Sequence, residues 1–182
     1  MIRLSISGSH SVGKTVLAEE IYEYYKDQLN VVRITEIARI LINRGFKLNK
    51  DITEYGIINY ALEYLKKERK SKADIVISDR SIIDLLSYIK VNKSDKIRKP
   101  YISLIEEIVY MEKNRFDLYL YLPIEFPLQI DDVRPSDVKY QQKVDDMILK
   151  LLSEYNTNWY EIKGSVKERL EKSVEIIDEH HK

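Results

Sequence analysis

Gly8-Ser9-His10-Ser11-Val12-Gly13-Lys14-Thr15 is the stretch that decides how this chain folds. Its pattern is G-x-x-x-x-G-K-(S/T). Before it, Ile2 to Ser7 reads as a short buried strand. After it, from Gly13 to about Gln28, Val16, Leu17, Ile21, Tyr24 and Tyr25 recur at helical spacing. A strand, this loop and a helix in that order are the context a phosphate-binding loop requires. The plain alternative is a glycine turn at a strand–helix junction. With only 5 glycines in the chain, context and motif together argue against it.

The physics assigns a task to each part. Loop amides and a helix N-terminus make an anion nest. Gly8 and Gly13 let the backbone approach phosphate closely. Lys14 reaches the β- and γ-phosphates of a nucleoside triphosphate, and Thr15 offers its hydroxyl to Mg²⁺. The candidate nucleotide-binding set is therefore Gly8, Ser9, His10, Ser11, Val12, Gly13, Lys14 and Thr15. The side chain of His10, at an x position of the loop, is expected to point outward.

Outward from the loop, apolar runs alternate with amphipathic stretches. Val31–Thr35, Ile75–Ser78, Leu118–Leu122 and Trp159–Ile162 read as strands. Helices are expected over 36–43, from Asp51 or Thr53 to about Lys70, over the Ile82–Ile89 stripe, from Pro100 to about Lys113, over the Val144–Tyr155 stripe, and after Gly164-Ser165. Phe126 to Asp137, with two prolines and four charges, reads as a loop. The alternation implies an α/β fold with a mainly parallel sheet covered on both faces and right-handed crossovers. One domain spanning 1–182, with a small lid at about 126–142, is the simplest organisation.

Composition narrows the function. Lys plus Arg and Asp plus Glu each number 30, for a formal net charge of zero. A general nucleic-acid binder would need a basic excess. The absence of cysteine excludes disulfides, thiolate catalysis and cysteine zinc sites. His10, His180 and His181 are too scattered for a histidine metal site. Met1-Ile2-Arg3-Leu4 leads straight into a strand, so no signal peptide fits there. No apolar run approaches the roughly 20 residues that span a bilayer. A cytoplasmic protein without a membrane partner is expected.

Open parallel sheets bind ligands beyond the carboxyl ends of their strands. Asp79 ends the third strand and so shares the loop's rim, where a carboxylate can hold Mg²⁺. Arg80 can clamp a substrate phosphate; the bland reading of the pair is an ion pair capping the next helix. Glu36 follows the second strand onto the same rim. It could take a proton from a substrate hydroxyl or fix a base or sugar, or simply be a first-turn glutamate favoured by the helix dipole. Arg39 lies one helical turn on.

Together these residues resemble the P-loop nucleoside and nucleotide kinase group, nearest to the ATPase domain of NadR-type ribosylnicotinamide kinases, and also deoxynucleoside and thymidylate kinases. The resemblance covers residues 2 to about 160. It rests on Gly8–Thr15, Thr35-Glu36-Ile37-Ala38-Arg39, the Ser78-Asp79-Arg80-Ser81-Ile82-Ile83-Asp84-Leu85-Leu86-Ser87-Tyr88 segment and Asp131-Asp132-Val133-Arg134. It implies a five-stranded parallel sheet in the order 2-3-1-4-5, ATP and Mg²⁺ as cofactors, and phosphoryl transfer to a small nucleoside- or nucleotide-like acceptor. It implies Lys14, Glu36, Asp79 and Arg134 as catalytic residues. Glu36 would be the base for a hydroxyl acceptor, and Arg134 a lid arginine closing on the transferring group. Glu36, Arg39 and Arg80 would hold the acceptor, and Thr15 and Asp79 the metal. The glutamine with which deoxynucleoside kinases read the base is replaced by Asn59, or has no counterpart.

Other signals compete. Asn92-Lys93-Ser94-Asp95 matches the guanine-reading N-K-x-D, but it follows a helical stripe, and no D-x-x-G accompanies it. Lys66, Lys67, Arg69, Lys70 and Lys72 could be a nucleic-acid patch or a solvated helix end. Tyr60 or Tyr64 could stack on an acceptor base. A regulatory ATPase or GTPase switch and a polynucleotide 5′-hydroxyl kinase are the alternative functions. The oligomeric state is open, a homodimer included.

Overall fold

The computed structural model describes residues 1–35, 37–92, 97–126 and 137–181, with residue 181 described without its side chain. Its elements are β1 (Ile2–Ser7), α1 (Lys14–Tyr25), β2 (Val31–Ile34), α2 (Ile37–Asn43), α3 (Glu54–Lys70), β3 (Ile75–Asp79), α4 (Ile82–Asn92), α5 (Lys99–Glu112), β4 (Leu118–Tyr121), α6 (Val138–Glu154), β5 (Trp159–Glu161) and α7 (Val166–His181). Short 3₁₀ turns at 49–51 and 113–115 complete the chain. Neither is visible as a hydrophobic pattern. The strands form one five-stranded sheet, β2-β3-β1-β4-β5, in which every pairing is parallel. That is the order implied by the resemblance.

Side-chain alternation along the strands divides the core. Ile75 and Ile77 of β3, with Leu118 and Leu120 of β4, pack against Leu17, Ala18 and Ile21 of α1 and Ile176 and Ile177 of α7. Val76, Tyr119 and Tyr121 face the other way, into a cluster built with α2 to α6. A sheet buried on both faces explains why its strands read as near-continuous apolar runs.

Capping residues set the helix starts. Thr53 accepts the Gly56 amide (3.2 Å) at the head of α3, and Asp137 accepts the Tyr140 amide (3.1 Å) at the head of α6. Residues 138–142, expected within the lid, form the first turns of α6 instead, with Tyr140 and Gln141 buried. Among the described residues no helix is long and apolar enough to cross a membrane.

At the amino ends of the strands the buried carboxylate of Glu68 pairs with Arg3 of β1 on one oxygen and with Arg115 on the other. Arg69 pairs with Glu112, and Lys67 donates to the Thr35 carbonyl (3.2 Å). Two members of the basic run at the end of α3, Lys67 and Arg69, thus have partners within the fold, while Lys66, Lys70 and Lys72 are exposed. Removing one partner of a buried ion pair strands the other charge. Glu68→Gln is expected to lower the unfolding free energy by about 3 kcal/mol, read from urea denaturation at an unchanged m-value.

Candidate functional site

The loop between β1 and α1 turns sharply because its glycines permit it. Gly8 has φ 149°, and a Cβ there would lie 2.6 Å from the Leu122 carbonyl oxygen; Gly13 has φ 95°. Any other residue at Gly8 would push β1 and β4 apart at the rim. The loop opens onto a cavity of about 270 Å³ lined by Ser11, Gly13, Lys14 and Thr15, and by Asp79 and Arg80 from the end of β3. The far wall is Phe126, Val166 and Arg169. The structure therefore brings the loop and the Asp79–Arg80 pair to one site, as their shared rim predicted.

Within it, Thr15 Oγ1 donates to Asp79 Oδ2 at 2.6 Å. Asp79 Oδ1 is buried with no hydrogen-bond partner. A hydroxyl and a carboxylate with an unused oxygen suit Mg²⁺, which keeps waters and phosphate oxygens as its other ligands. No group of three or more potential metal-ligating side chains occurs among the described residues. Lys14 is buried, and its ammonium group donates to the Ser9 carbonyl of its own loop.

Arg80 sits at a bend in the chain. Its φ is 91°, a left-handed conformation that costs a non-glycine residue about 1–3 kcal/mol and is held only by surrounding structure. The restraints are visible: its amide donates to the Ile6 carbonyl (3.1 Å), and its carbonyl accepts from Ser78 Oγ (2.6 Å). Its guanidinium lies 5.4 Å from the centre of the Tyr88 ring and donates to the Tyr88 hydroxyl (3.3 Å). Burial works against its charge. The fields of Tyr88, Tyr60, Asp84 and Asp79 outweigh that effect and raise its pKa above the ordinary value. No described carboxylate lies within ion-pair distance of it.

Asp84 joins these parts. It is 1% exposed and accepts from Ser7 Oγ (2.9 Å) and the Gly8 amide (3.3 Å) on the loop side. On the other side it accepts from the Ser81 amide (2.8 Å) and hydroxyl (3.0 Å). Ser81 Oγ in turn accepts the Ile83 amide (3.1 Å). Ser81-Ile82-Ile83-Asp84 is thus a capping box for α4 whose carboxylate also grips the phosphate-binding loop. The S-x-x-D spacing was there to be read, but its reach to the loop was not.

A second cavity adjoins the first at Arg80. It is lined by Ala38, Leu48, Ile52, Tyr60, Asp84 and Tyr88 among others. Of the two tyrosines considered for stacking, Tyr60 faces this cavity, while Tyr64 is fully buried in the core. Burial pushes the Tyr60 hydroxyl up, so it stays a neutral donor. Ala38 supplies the contribution of α2 to the lining; Arg39 is exposed. Asn59 spends its amide on the Tyr55 carbonyl (2.8 Å) of its own helix. Asn92 donates to the Asn49 and Tyr88 carbonyls and to the Tyr140 hydroxyl, which gives it a structural use. Glu36, Arg134 with its neighbours Asp131 and Asp132, and Lys93–Asp95 lie outside the described residues.

His10 departs from expectation. Its side chain is 2% exposed, with ring centres 6.4 Å from Tyr88 and 6.0 Å from Tyr140. The reason is α6, which covers this side of the loop. Gln141 of α6 donates to the His10 carbonyl (2.7 Å). Asp145, one turn further along, accepts from the Tyr121 hydroxyl (2.6 Å) and lies against Ser9. From the opposite side Arg169 of α7 donates to the Val12 carbonyl (2.6 Å) and to Glu125 (2.7 Å).

A five-stranded parallel sheet in this order, with a phosphate-binding loop after β1 and an Asp–Arg pair after β3, defines the P-loop kinase fold. The chain belongs to the AAA domain family, whose sequence model matches residues 3–169. Solved structures agree on the fold. A deoxyadenosine kinase from M. mycoides superposes with a TM-score of 0.70 at 14% identity, over 98% of this chain and 99% of that one. A thymidylate kinase from Candida albicans gives 0.68 at 16%, over 100% and 93%. The NadR protein gives 0.72 at 17%, over 99% of this chain and 49% of that one, so this chain spans about half of NadR. No curated protein matches the sequence.

Burial raises the pKa of Asp145 above its ordinary value, against the hydrogen bond from Tyr121 that lowers it. The folded state therefore favours the protonated acid. The contribution of this group to stability is full below its unfolded pKa and is lost as pH rises through the folded value. Asp145→Asn, which keeps an acceptor for Tyr121, is expected to melt higher than the native protein at neutral pH. The gap should close as pH falls below the ordinary aspartate range, and thermal melts across pH measure it.

Proposed function

We propose that this protein is a kinase that transfers the γ-phosphoryl group of ATP, with Mg²⁺, to a small nucleoside- or nucleotide-like acceptor. The observation that carries the reading is Arg80. It is a largely buried cation, without a described carboxylate at ion-pair distance, on the wall shared by two cavities. The fields of Asp84 and Asp79 help keep it charged, so a cation stands ready for an anion in either cavity, and a phosphoryl group passing between them meets it in transit. A switch that only hydrolyses its nucleotide has no use for the second cavity.

The roles follow. The loop amides and Lys14 bind the β- and γ-phosphates, and Lys14 exchanges the Ser9 carbonyl for phosphate oxygens. Thr15 and Asp79 would hold Mg²⁺, which would supply charge neutralisation to the phosphates. Arg80 stabilises negative charge on the group in flight. The acceptor lies against Tyr60 and Tyr88. That cavity has room for about one water, ≈ 20 Å³, so an acceptor entering it displaces α2 or the 49–51 turn. Glu36, immediately before α2, takes the proton of a hydroxyl acceptor, and Arg134 closes on the phosphoryl group.

The test is an ADP-release assay with Mg-ATP across nucleosides, nucleoside monophosphates and ribosylnicotinamide. At least one acceptor is expected to raise the rate above basal hydrolysis, and Lys14→Ala to abolish the rise. Arg80→Met should lower kcat by about 10³. If no acceptor raises the rate, the kinase reading fails. On a hydroxyl acceptor Glu36→Gln should cost about 10² or more in kcat; unchanged turnover would remove the base assignment.

A further inference from the structure

Two carbonyl groups of the phosphate-binding loop are gripped from outside by side chains that no motif predicts. Gln141 Nε2 donates to the His10 carbonyl at 2.7 Å, and Arg169 Nη1 donates to the Val12 carbonyl at 2.6 Å. Gln141 and Arg169 are 1% and 3% exposed. They come from opposite faces of the sheet. α6 packs in the cluster with Val144 and Ile148, and α7 in the cluster with Ile176 and Ile177. Buried polar side chains are mostly hydrogen-bonded, and each of these spends a donor on the loop.

Peptide geometry gives the grips a consequence. Every peptide bond described is trans, and in a trans peptide the carbonyl of one residue and the amide N–H of the next point in opposite directions. Holding the His10 carbonyl outward turns the Ser11 N–H inward. Holding the Val12 carbonyl outward does the same for the Gly13 N–H. Ser11 and Gly13 both line the cavity where phosphate is proposed to bind. Arg169 is itself fixed. Its Nη2 donates to Glu125 (2.7 Å), whose carboxylate also accepts the Gly164 amide (2.9 Å), and Phe126 lies 5.0 Å from its guanidinium.

We infer that Gln141 and Arg169 are positioning residues for the donor phosphates: by holding alternate carbonyls of the loop from outside, they keep the Ser11 and Gly13 amides aimed at bound anion. This rests on the reading of the loop as a nucleotide site. A preorganised nest binds phosphate without first reorienting its peptides. Loss of either grip lets a peptide plane turn and weakens binding of the phosphate chain, whatever base is attached to it.

The experiment titrates the full chain with two probes, Mg-ATP and inorganic tripolyphosphate, by calorimetry, with thermal melts of the unliganded protein alongside. Gln141→Met and Arg169→Met, close in shape and without the donors, are expected to raise Kd about tenfold for both probes. Wild-type Kd for both probes in folded variants overturns the inference. So does a loss for ATP alone, which would make Arg169 a base contact. Should either buried substitution fail to fold, Glu125→Gln weakens the hold on Arg169 from outside the loop. It is expected to raise both Kd values about threefold, and no change would again overturn the proposal. Lys14→Ala separates the two layers. If the wild type binds neither probe, the nucleotide reading falls and the inference with it. If the wild type binds and Lys14→Ala does not, while the Gln141 and Arg169 variants match the wild type, only the inference falls.

Discussion

Asp84 accepts hydrogen bonds from Ser7 and Gly8 on one side and from Ser81 on the other. Its carboxylate thereby ties the start of the phosphate-binding loop to the turn that carries Asp79 and Arg80. Both features sit at the carboxyl ends of neighbouring parallel strands, β1 and β3, paired from Ile2 with Ile75 to Ile6 with Asp79. The sheet brings them close, and Asp84 sets how they meet. A buried carboxylate is expensive unless every lone pair is used. Here the donors are main-chain and hydroxyl groups of the site itself, so desolvation of this one charge and rigidity of the site are the same arrangement.

From that join the remaining geometry follows. Arg80 is forced into a left-handed conformation between a strand that ends and a helix that has just been capped. Its side chain is thrown onto the wall between two cavities. Thr15, at the first turn of α1, meets Asp79 across the rim. The loop between them is gripped by Asp84, Gln141 and Arg169, from α4, α6 and α7. Catalysis of phosphoryl transfer is mostly positioning and charge stabilisation, and a loop restrained from several helices suits that demand.

Much of this was legible in the sequence, for local reasons. The Ile2–Ser7 run, the glycine spacing and the helical stripe after Lys14 are short-range signals, and so are the strand ends that place Asp79 on the rim. What escaped the reading was long-range. Gln141 meets His10 across 131 residues and Arg169 meets Val12 across 157, and no periodicity reports such a contact. The same cause reversed the expectation for His10: a loop side chain points outward unless another element covers it, and α6 does. The choice between Tyr60 and Tyr64 also needed the fold, since the two lie one turn apart on the same face of α3 and only Tyr60 lines the cavity. Arg39 shares a rim segment with the site in sequence, yet the first turns of α2 turn Ala38 to the cavity. Glu36 and Arg134 rest on resemblance and lie outside the described residues, so their roles belong to the proposal.

Under the proposed function, two small molecules meet at Arg80 and exchange a phosphoryl group. Phosphorus NMR of the full chain with Mg-ATP and a pool of nucleosides and nucleoside monophosphates tests it most directly. ADP is expected to accumulate together with an equal amount of one new phosphoester or phosphoanhydride signal. Accumulation of ADP with inorganic phosphate alone, whatever the pool contains, would contradict it.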